Sequence, residues 1–232
     1  MDSSNKDVPF MRRIRSFVLR EGRLTTGQEK ALNELFPVWG IEFEDKVLDL
    51  KEVFGNDNPV TVEIGFGMGQ SLAQMAKDDP NRNFLGIEVH TPGVGALLSL
   101  IKENNLTNIR IIRHDAVEIL EKMLQNESID RLQLFFPDPW HKARHHKRRI
   151  VNDEFIKLVI TKLKIRGIIH MATDWEDYSE QMLQVLSNFK ELKNLSKDGF
   201  LEVRPQERPL TKFEARGLRL GHVIRDIKFQ KQ

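Results

Sequence analysis

VTVEIGFGMGQSLAQMAK, residues 60–77, is the stretch that decides the fold. VTVEI has the apolar, β-branched character of a short buried strand. Gly65-Phe66-Gly67-Met68-Gly69 then forms a glycine-rich turn, and a helical stretch follows over 70–77. Glycines at such a turn let the backbone bend tightly and approach a ligand closely. The helix N-terminus beyond it offers free N–H groups to an anion. The spacing is GxGxG, not the GxGxxG of dinucleotide folds, and an acidic residue, Glu63, precedes it.

Working outward, the same rhythm recurs. Strands are predicted at 84–89 (FLGIEV), 109–113 (IRIIR), 129–136 (IDRLQLFF) and 167–173 (GIIHMAT). Helices are predicted from Thr91-Pro92 to about Asn104, over 116–125, at about 153–163 and at about 175–188. Short strand-like pieces close the chain, the last being HVIRDIKF at 222–229. On the N-terminal side, Thr26-Gly27-Gln28-Glu29 has capping-box spacing and predicts a helix through Leu35. Pro37, Gly40, Gly55 and Pro59 break up the stretch 36–59. Residues 1–23 are polar and then basic, with Arg12, Arg13, Arg15, Arg20 and Arg23. Strands alternating with helices of this length predict an α/β fold, a doubly wound, mostly parallel sheet covered on both faces. Such sheets bind ligands at the C-terminal ends of their strands, where the strand order reverses.

The 232 residues suit one large domain, or one domain with extensions. With a net charge of only +2, nucleic-acid binding would have to come from local clustering of charge. There are no cysteines, which excludes disulfides, thiol nucleophiles and Cys-ligated zinc. No apolar run is long enough for a membrane span, and MDSSNKDVPF has no signal-peptide core, so a cytoplasmic protein without membrane attachment is expected.

Three acidic residues fall at successive strand tips: Glu63, Glu88 and Asp115. Glu88 lies where a carboxylate can accept both hydroxyls of a ribose, and Asp115 where one can meet an adenine amino group. A solvated strand end for Glu88 and a helix N-cap for Asp115 are the plainer alternatives. Together the spacing indicates a nucleoside-type pocket. The next strand runs into FFPDPWHKARHHKRRI, 135–150. Flanking prolines restrict the backbone around Asp138. Five Lys/Arg and three His then fall within 141–149. A solvated loop is one reading of that run; contact with several phosphates is the other. His141, His145 and His146 beside Asp138 match no HExxH or facial-triad template for a metal.

FFPDPWHKARHHKRR, EIGFGMG, GIEVH, HDAVEIL, HMATDWEDY and RPLTKFEARG together closely resemble the bacterial tRNA (guanine-N7-)-methyltransferases, from about Arg12 to about Asp226. The resemblance implies a Rossmann-like class I methyltransferase with a seven-stranded sheet. It divides the chain into an N-terminal extension, 1–55, packed on a catalytic domain, 56–232. It implies S-adenosyl-L-methionine as cofactor, leaving as S-adenosyl-L-homocysteine, with Glu63, Gly65, Gly67, Gly69, Glu88, Asp115 and Asp138 around it. Asp138 carries the active-site role. Lys142, Asp174, Thr211, Lys212, Phe213 and Glu214 are the implied substrate contacts. Arg144, His145, His146, Lys147, Arg148 and Arg149 are the implied RNA contacts. The implied partner is tRNA, methylated in its variable loop at position 46 of tRNA convention. No metal and no obligatory protein partner are expected, and the chain is a monomer or homodimer. From the residues alone, Asp174 suits a helix N-cap, Phe213 a core position and Glu214 an exposed helix face.

Two rivals stay open at this level. One is a methyltransferase for an exocyclic amine or a protein side chain, because Pro-Asp-Pro-Trp superficially resembles the Asp/Asn-Pro-Pro-aromatic motif, in a different order. The other is a non-catalytic RNA-binding module with a vestigial pocket.

Overall fold

The computed structural model describes residues 15–18, 22–219 and 221–232; the side chains of Lys212, Phe213 and Arg216 lie outside the described residues, as do Arg12, Arg13 and Arg20. The chain opens with α1 (Thr26–Trp39), β1 (Gly40–Ile41) and α2 (Leu50–Phe54). Alternation then sets in: β2 (Val60–Ile64), α3 (Gln70–Asp78), β3 (Asn83–Ile87), α4 (Thr91–Glu103), β4 (Ile109–Ile112), α5 (Ala116–Lys122) and β5 (Ile129–Phe135). A 3-10 turn, Ala143–Arg148, leads to α6 (Asp153–Lys162), β6 (Leu163–Thr173), α7 (Glu176–Ser187), β7 (Leu192–Asn194), α8 (Lys212–Arg219) and β8 (Arg225–Lys231).

The sheet order is β1-β4-β3-β2-β5-β6-β8-β7. Pairings from β1 through β6 are parallel, while β8 runs antiparallel to both β6 and β7. The doubly wound seven-stranded sheet is therefore present, and the two-residue β1 joins its edge as an eighth strand. Every residue of β2 and β3 is buried. Helices cover both faces of these strands, so their apolar residues run continuously and do not alternate. One core packs α2, α5, α6 and α7 against the sheet through residues such as Phe54, Leu120, Val159 and Met182. The other packs α1, α3 and α4 through Leu35, Leu72 and Leu97. The strand order reverses between β3 and β5, on either side of β2, so the glycine turn lies at the switch point.

Two local expectations shift. The capping box on α1 is Thr25 with Gln28, one residue earlier than predicted, and the helix passes Pro37 to reach Trp39. Proline costs one hydrogen bond in the last turn, and the Gly40 N–H still donates to Phe36 O. Among the described residues no helix is long and apolar enough to cross a membrane.

Candidate active site

The C-terminal ends of β2, β3, β4 and β5 surround a cavity of about 650 Å³. Gly65, Glu88, Asp115, Asp138, Lys142 and His145 all line it. Gly65 has φ +74°, and a Cβ there would meet no protein atom within 4 Å, so the turn leaves open space facing the cavity. Gly69 also has a positive φ, but its role is packing: a Cβ would lie 2.6 Å from Leu97 Cβ on α4. Gly67 donates its N–H to Glu88 Oε2 at 2.9 Å. The other oxygen of Glu88 accepts from the N–H groups of Val89 and His90 at 2.7 and 3.0 Å. Three backbone donors thus aim one nearly buried carboxylate at the cavity. Asp115 does cap a helix, accepting from Val117 N at 2.9 Å at the start of α5, and it lines the cavity as well.

Glu63 does not line the cavity. It is 3% exposed, and its Oε2 has no hydrogen-bond partner among the described residues. Burial, and then the nearby Glu88 charge, push its carboxyl up to about 8. Gln133 stands level with Glu63 on β5, and His170 level with Gln133 on β6. Both Gln133 side-chain polar atoms and His170 Nδ1 are likewise buried without partners among the described residues.

Asp138 follows β5 between two prolines and is exposed at the cavity wall. The residues bracketing this tripeptide, Phe136 and Trp140, both have positive φ, 50° and 47°. Such backbone in bulky residues is strained and has to be held by its surroundings. The holding contacts are visible at Trp140. Its indole N–H donates to Ser16 O at 3.1 Å, and Arg148 lies over its ring at 5.0 Å. Ser16, Phe17 and Val18 thereby reach the cavity wall, although the basic N-terminal stretch carried no motif pointing there.

The cationic loop divides in two. Arg144 and Lys147 are exposed. His145 lines the cavity, and partial desolvation followed by the positive charges of Arg144, Arg148, Lys142 and Lys147 keeps its pKa below the usual histidine value. Arg149, expected to contact RNA, is instead 3% exposed. Its guanidinium donates to Pro139 O at 2.9 Å and to Gln181 and Asp177 on α7, and it sits over the Tyr178 ring at 4.7 Å. It also reaches His146 Nε2 at 3.1 Å. The hydrogen bond from Arg149 holds the Asp177 carboxyl below its ordinary pKa. Arg149 therefore fastens the loop to the fold and presents no charge to solvent.

The C-terminal motif also departs from expectation. Glu214, expected as a substrate contact or an exposed helix residue, is 2% exposed and paired at both oxygens with Arg208, at 2.6 and 2.8 Å. Arg208 is fully buried, and it also donates twice to Asp226 on β8, each at 2.8 Å. His170 Nε2 lies 2.7 Å from the same carboxylate. Burial would raise the pKa of Asp226, but its hydrogen bonds to His170 and Arg208 outweigh that and hold it low. Arg208 sits over the rings of Phe135 and Phe136 at 5.8 and 5.7 Å, the two residues that lead into Pro137-Asp138. Thr211 accepts from Glu214 N at 3.0 Å and so caps α8. Asp174, after β6, pairs with His222 Nδ1 at 3.0 Å. The side chains of Lys212 and Phe213 lie outside the described residues. Among the described residues no cluster of three His, Cys, Asp or Glu is placed to hold a metal.

Sequence reasoning missed Arg208, His170 and Asp226 as a unit. The signals were scattered: His170 opens HMATDWEDY, Arg208 opens RPLTKFEARG and Asp226 lies in HVIRDIKF, and nothing in their order joins them.

A family model described as "Putative methyltransferase" matches residues 57–227. The tRNA (guanine-N(7)-)-methyltransferase of Aliivibrio fischeri is 60% identical over 222 residues, covering 96% of this chain and 93% of its own. That of Aeromonas hydrophila is 59% identical over 230 residues, covering 99% and 97%. A solved 16S rRNA methyltransferase superposes with a TM-score of 0.57 at 11% identity, covering 81% of this chain and 95% of its own, and supports the fold alone. With identity at this level over nearly its whole length, the chain belongs to the tRNA (guanine-N(7)-)-methyltransferase family.

Proposed function

We propose that this enzyme methylates N7 of the guanine at position 46, in the variable loop of tRNA, with S-adenosyl-L-methionine in the 650 Å³ cavity. The observation that carries this is the meeting, at the switch point, of a glycine turn open to the cavity, two aimed carboxylates (Glu88 and Asp115) and the exposed Asp138. These residues fit the cofactor. Glu88 suits its ribose hydroxyls, Asp115 its adenine amino group, and the empty space at Gly65 admits close approach of the ligand. Glu63 lies behind the cavity wall, and a cationic ligand in the cavity favours the ionised form of its buried carboxyl. Bound there, the cofactor supplies an electrophilic methyl group.

Guanine N7 is a lone-pair acceptor when neutral, so the chain needs no general base to remove a proton. Its task is to orient the base and stabilise charge. Positive charge builds on the guanine ring as methylation proceeds, and Asp138 at the cavity wall is placed to face it. Lys142, Arg144, Lys147 and Arg148 hold the RNA backbone, while Arg149 holds the loop. Residues 1–55 act as an extension of the catalytic domain 56–232: α1 packs on α4, and β1 lengthens the sheet edge.

The test is methyl transfer from labelled S-adenosyl-L-methionine to two unmodified tRNA transcripts, one with guanine and one with adenine at position 46. Label on the first alone, with chain cleavage at 7-methylguanosine there, is expected. Label at another base or atom would overturn the proposed substrate.

A further inference from the structure

Trp175 occupies the N-cap of α7, at the tip of β6, yet makes no side-chain capping bond. Ser, Thr, Asp or Asn would satisfy a free helix N–H at that position, so the chain gives up a cap to place an indole there. The indole is 37% exposed. Its backbone is fixed: its N–H donates to Thr173 Oγ1 at 3.2 Å, and its carbonyl accepts from Ser179 N at 2.9 Å. The ring is met by His141, with ring centroids 4.1 Å apart and an interplanar angle of 63°. His141 lines the cavity wall with Asp138. Trp39 packs against the core beneath α4. Trp140 lines the same cavity, but its indole N–H is taken by Ser16 O and its ring is covered by Arg148, whereas Trp175 stands beyond His141 with its ring uncovered by a cation among the described residues.

We infer that Trp175, with His141, forms the aromatic wall on which the target guanine stacks beside Asp138. This rests on the proposed guanine-N7 reaction. A base lifted from structured RNA exposes its π-face, which aromatic side chains take up. The ring becomes cationic as N7 gains its methyl, and an indole face attracts a cation more strongly than a neutral ring. The wall therefore binds the reacting state better than the starting guanine and acts mainly on kcat. β5 and β6 are adjacent parallel strands, so the chain reaches Asp138 and Trp175 from neighbouring tips.

Three variants and one spectroscopic probe test this. W175F keeps an aromatic face, W175L keeps apolar bulk without one, and W175A removes both. W175L and W175A should lose about tenfold to a hundredfold in kcat, while W175F recovers most of it. tRNA binding by filter retention and thermal midpoint should stay near wild type in all three. Titration with 7-methylguanosine 5′-monophosphate should quench tryptophan fluorescence in the wild type and lose that share of quenching in W175F. Equal kcat in W175L and wild type, or equal quenching in W175F, overturns the wall. If the wild type forms no 7-methylguanosine in tRNA, the proposed reaction fails first. If it does, and W175L keeps pace, the wall alone falls.

Discussion

Two carboxylate clusters flank the Phe135–Asp138 strand end, and they are opposite in kind. On the β2 side, Glu63 is buried with an oxygen left unpaired, while Glu88 and Asp115 present held carboxylates to an open cavity. On the β6 and β8 side, Glu214 and Asp226 are both saturated by Arg208, and His170 adds to Asp226. A buried carboxylate without a partner is costly, and a cationic ligand relieves that cost. A carboxylate closed off by a buried guanidinium away from the cavity is structural, because no ligand reaches it. Residue type cannot separate the two cases, and neither can partner count, since Glu88 accepts from three backbone N–H groups; access to the cavity can. On that difference rest the proposed ligand binding at the first cluster and the bracing of the strand end by the second.

The comparison breaks most easily at Arg208. Arg208→Met strands two buried carboxylates, and losing one partner of a buried ion pair costs about 3–5 kcal/mol. A large fall in thermal midpoint is expected, and an unchanged midpoint would remove the bracing role. Asp138→Ala should do the reverse, leaving the midpoint and tRNA binding intact while methyl transfer drops by about a hundredfold to a thousandfold, on the scale of losing one preorganised electrostatic contact. Near-normal turnover in single-turnover assays would strip Asp138 of its role.

Glu63→Gln sharpens the contrast by sign. Between its ordinary pKa of 4.5 and about 8, the folded chain holds a proton on Glu63 that the unfolded chain has released. Wild-type stability therefore falls as pH rises through that window, by about 1.4 kcal/mol per unit from this group. The glutamine variant should be the more stable protein at pH 8, with a flatter pH dependence in denaturant titrations, and should bind S-adenosyl-L-methionine more weakly. Tighter binding by the variant would contradict a cationic ligand above Glu63.

The smallest effects belong to the loop. Arg144→Ala and Lys147→Ala should each lower the slope of log affinity for tRNA against log salt by about 1, with stability unchanged. Arg149→Ala should leave the slope nearly intact and lower the thermal midpoint, since its guanidinium is tied to Asp177, Gln181 and Pro139. A common response in all three variants would erase the division between RNA-facing and fold-facing cations.

Much of the architecture was legible because it is local. VTVEI followed by GFGMG requires a buried strand and a glycine turn, and the alternation from 60 to 188 leaves a wound sheet as the natural outcome. Helix ends were less legible: α1 outran Pro37 because a single missing donor near its end was tolerated. The cavity carboxylates Glu88, Asp115 and Asp138 were readable since each sits at a strand tip, where register alone brings them together.

By itself, then, the sequence determined the order of strands and helices, the turn at Gly65 to Gly69, and the placing of acidic residues at successive strand ends. These depend on backbone preferences and on periodicity over a few residues. Tertiary structure alone decided which charges are free. His170, Arg208, Glu214 and Asp226 come from β6, the stretch after β7, α8 and β8, and meet only when β8 folds back against β6. Arg148 and Arg149 are neighbours of one residue type, yet one lies over Trp140 at the cavity mouth and the other is buried against α7. Partner choice over such separations depends on the packed geometry, because desolvation and pairing act between groups that the chain order does not place together.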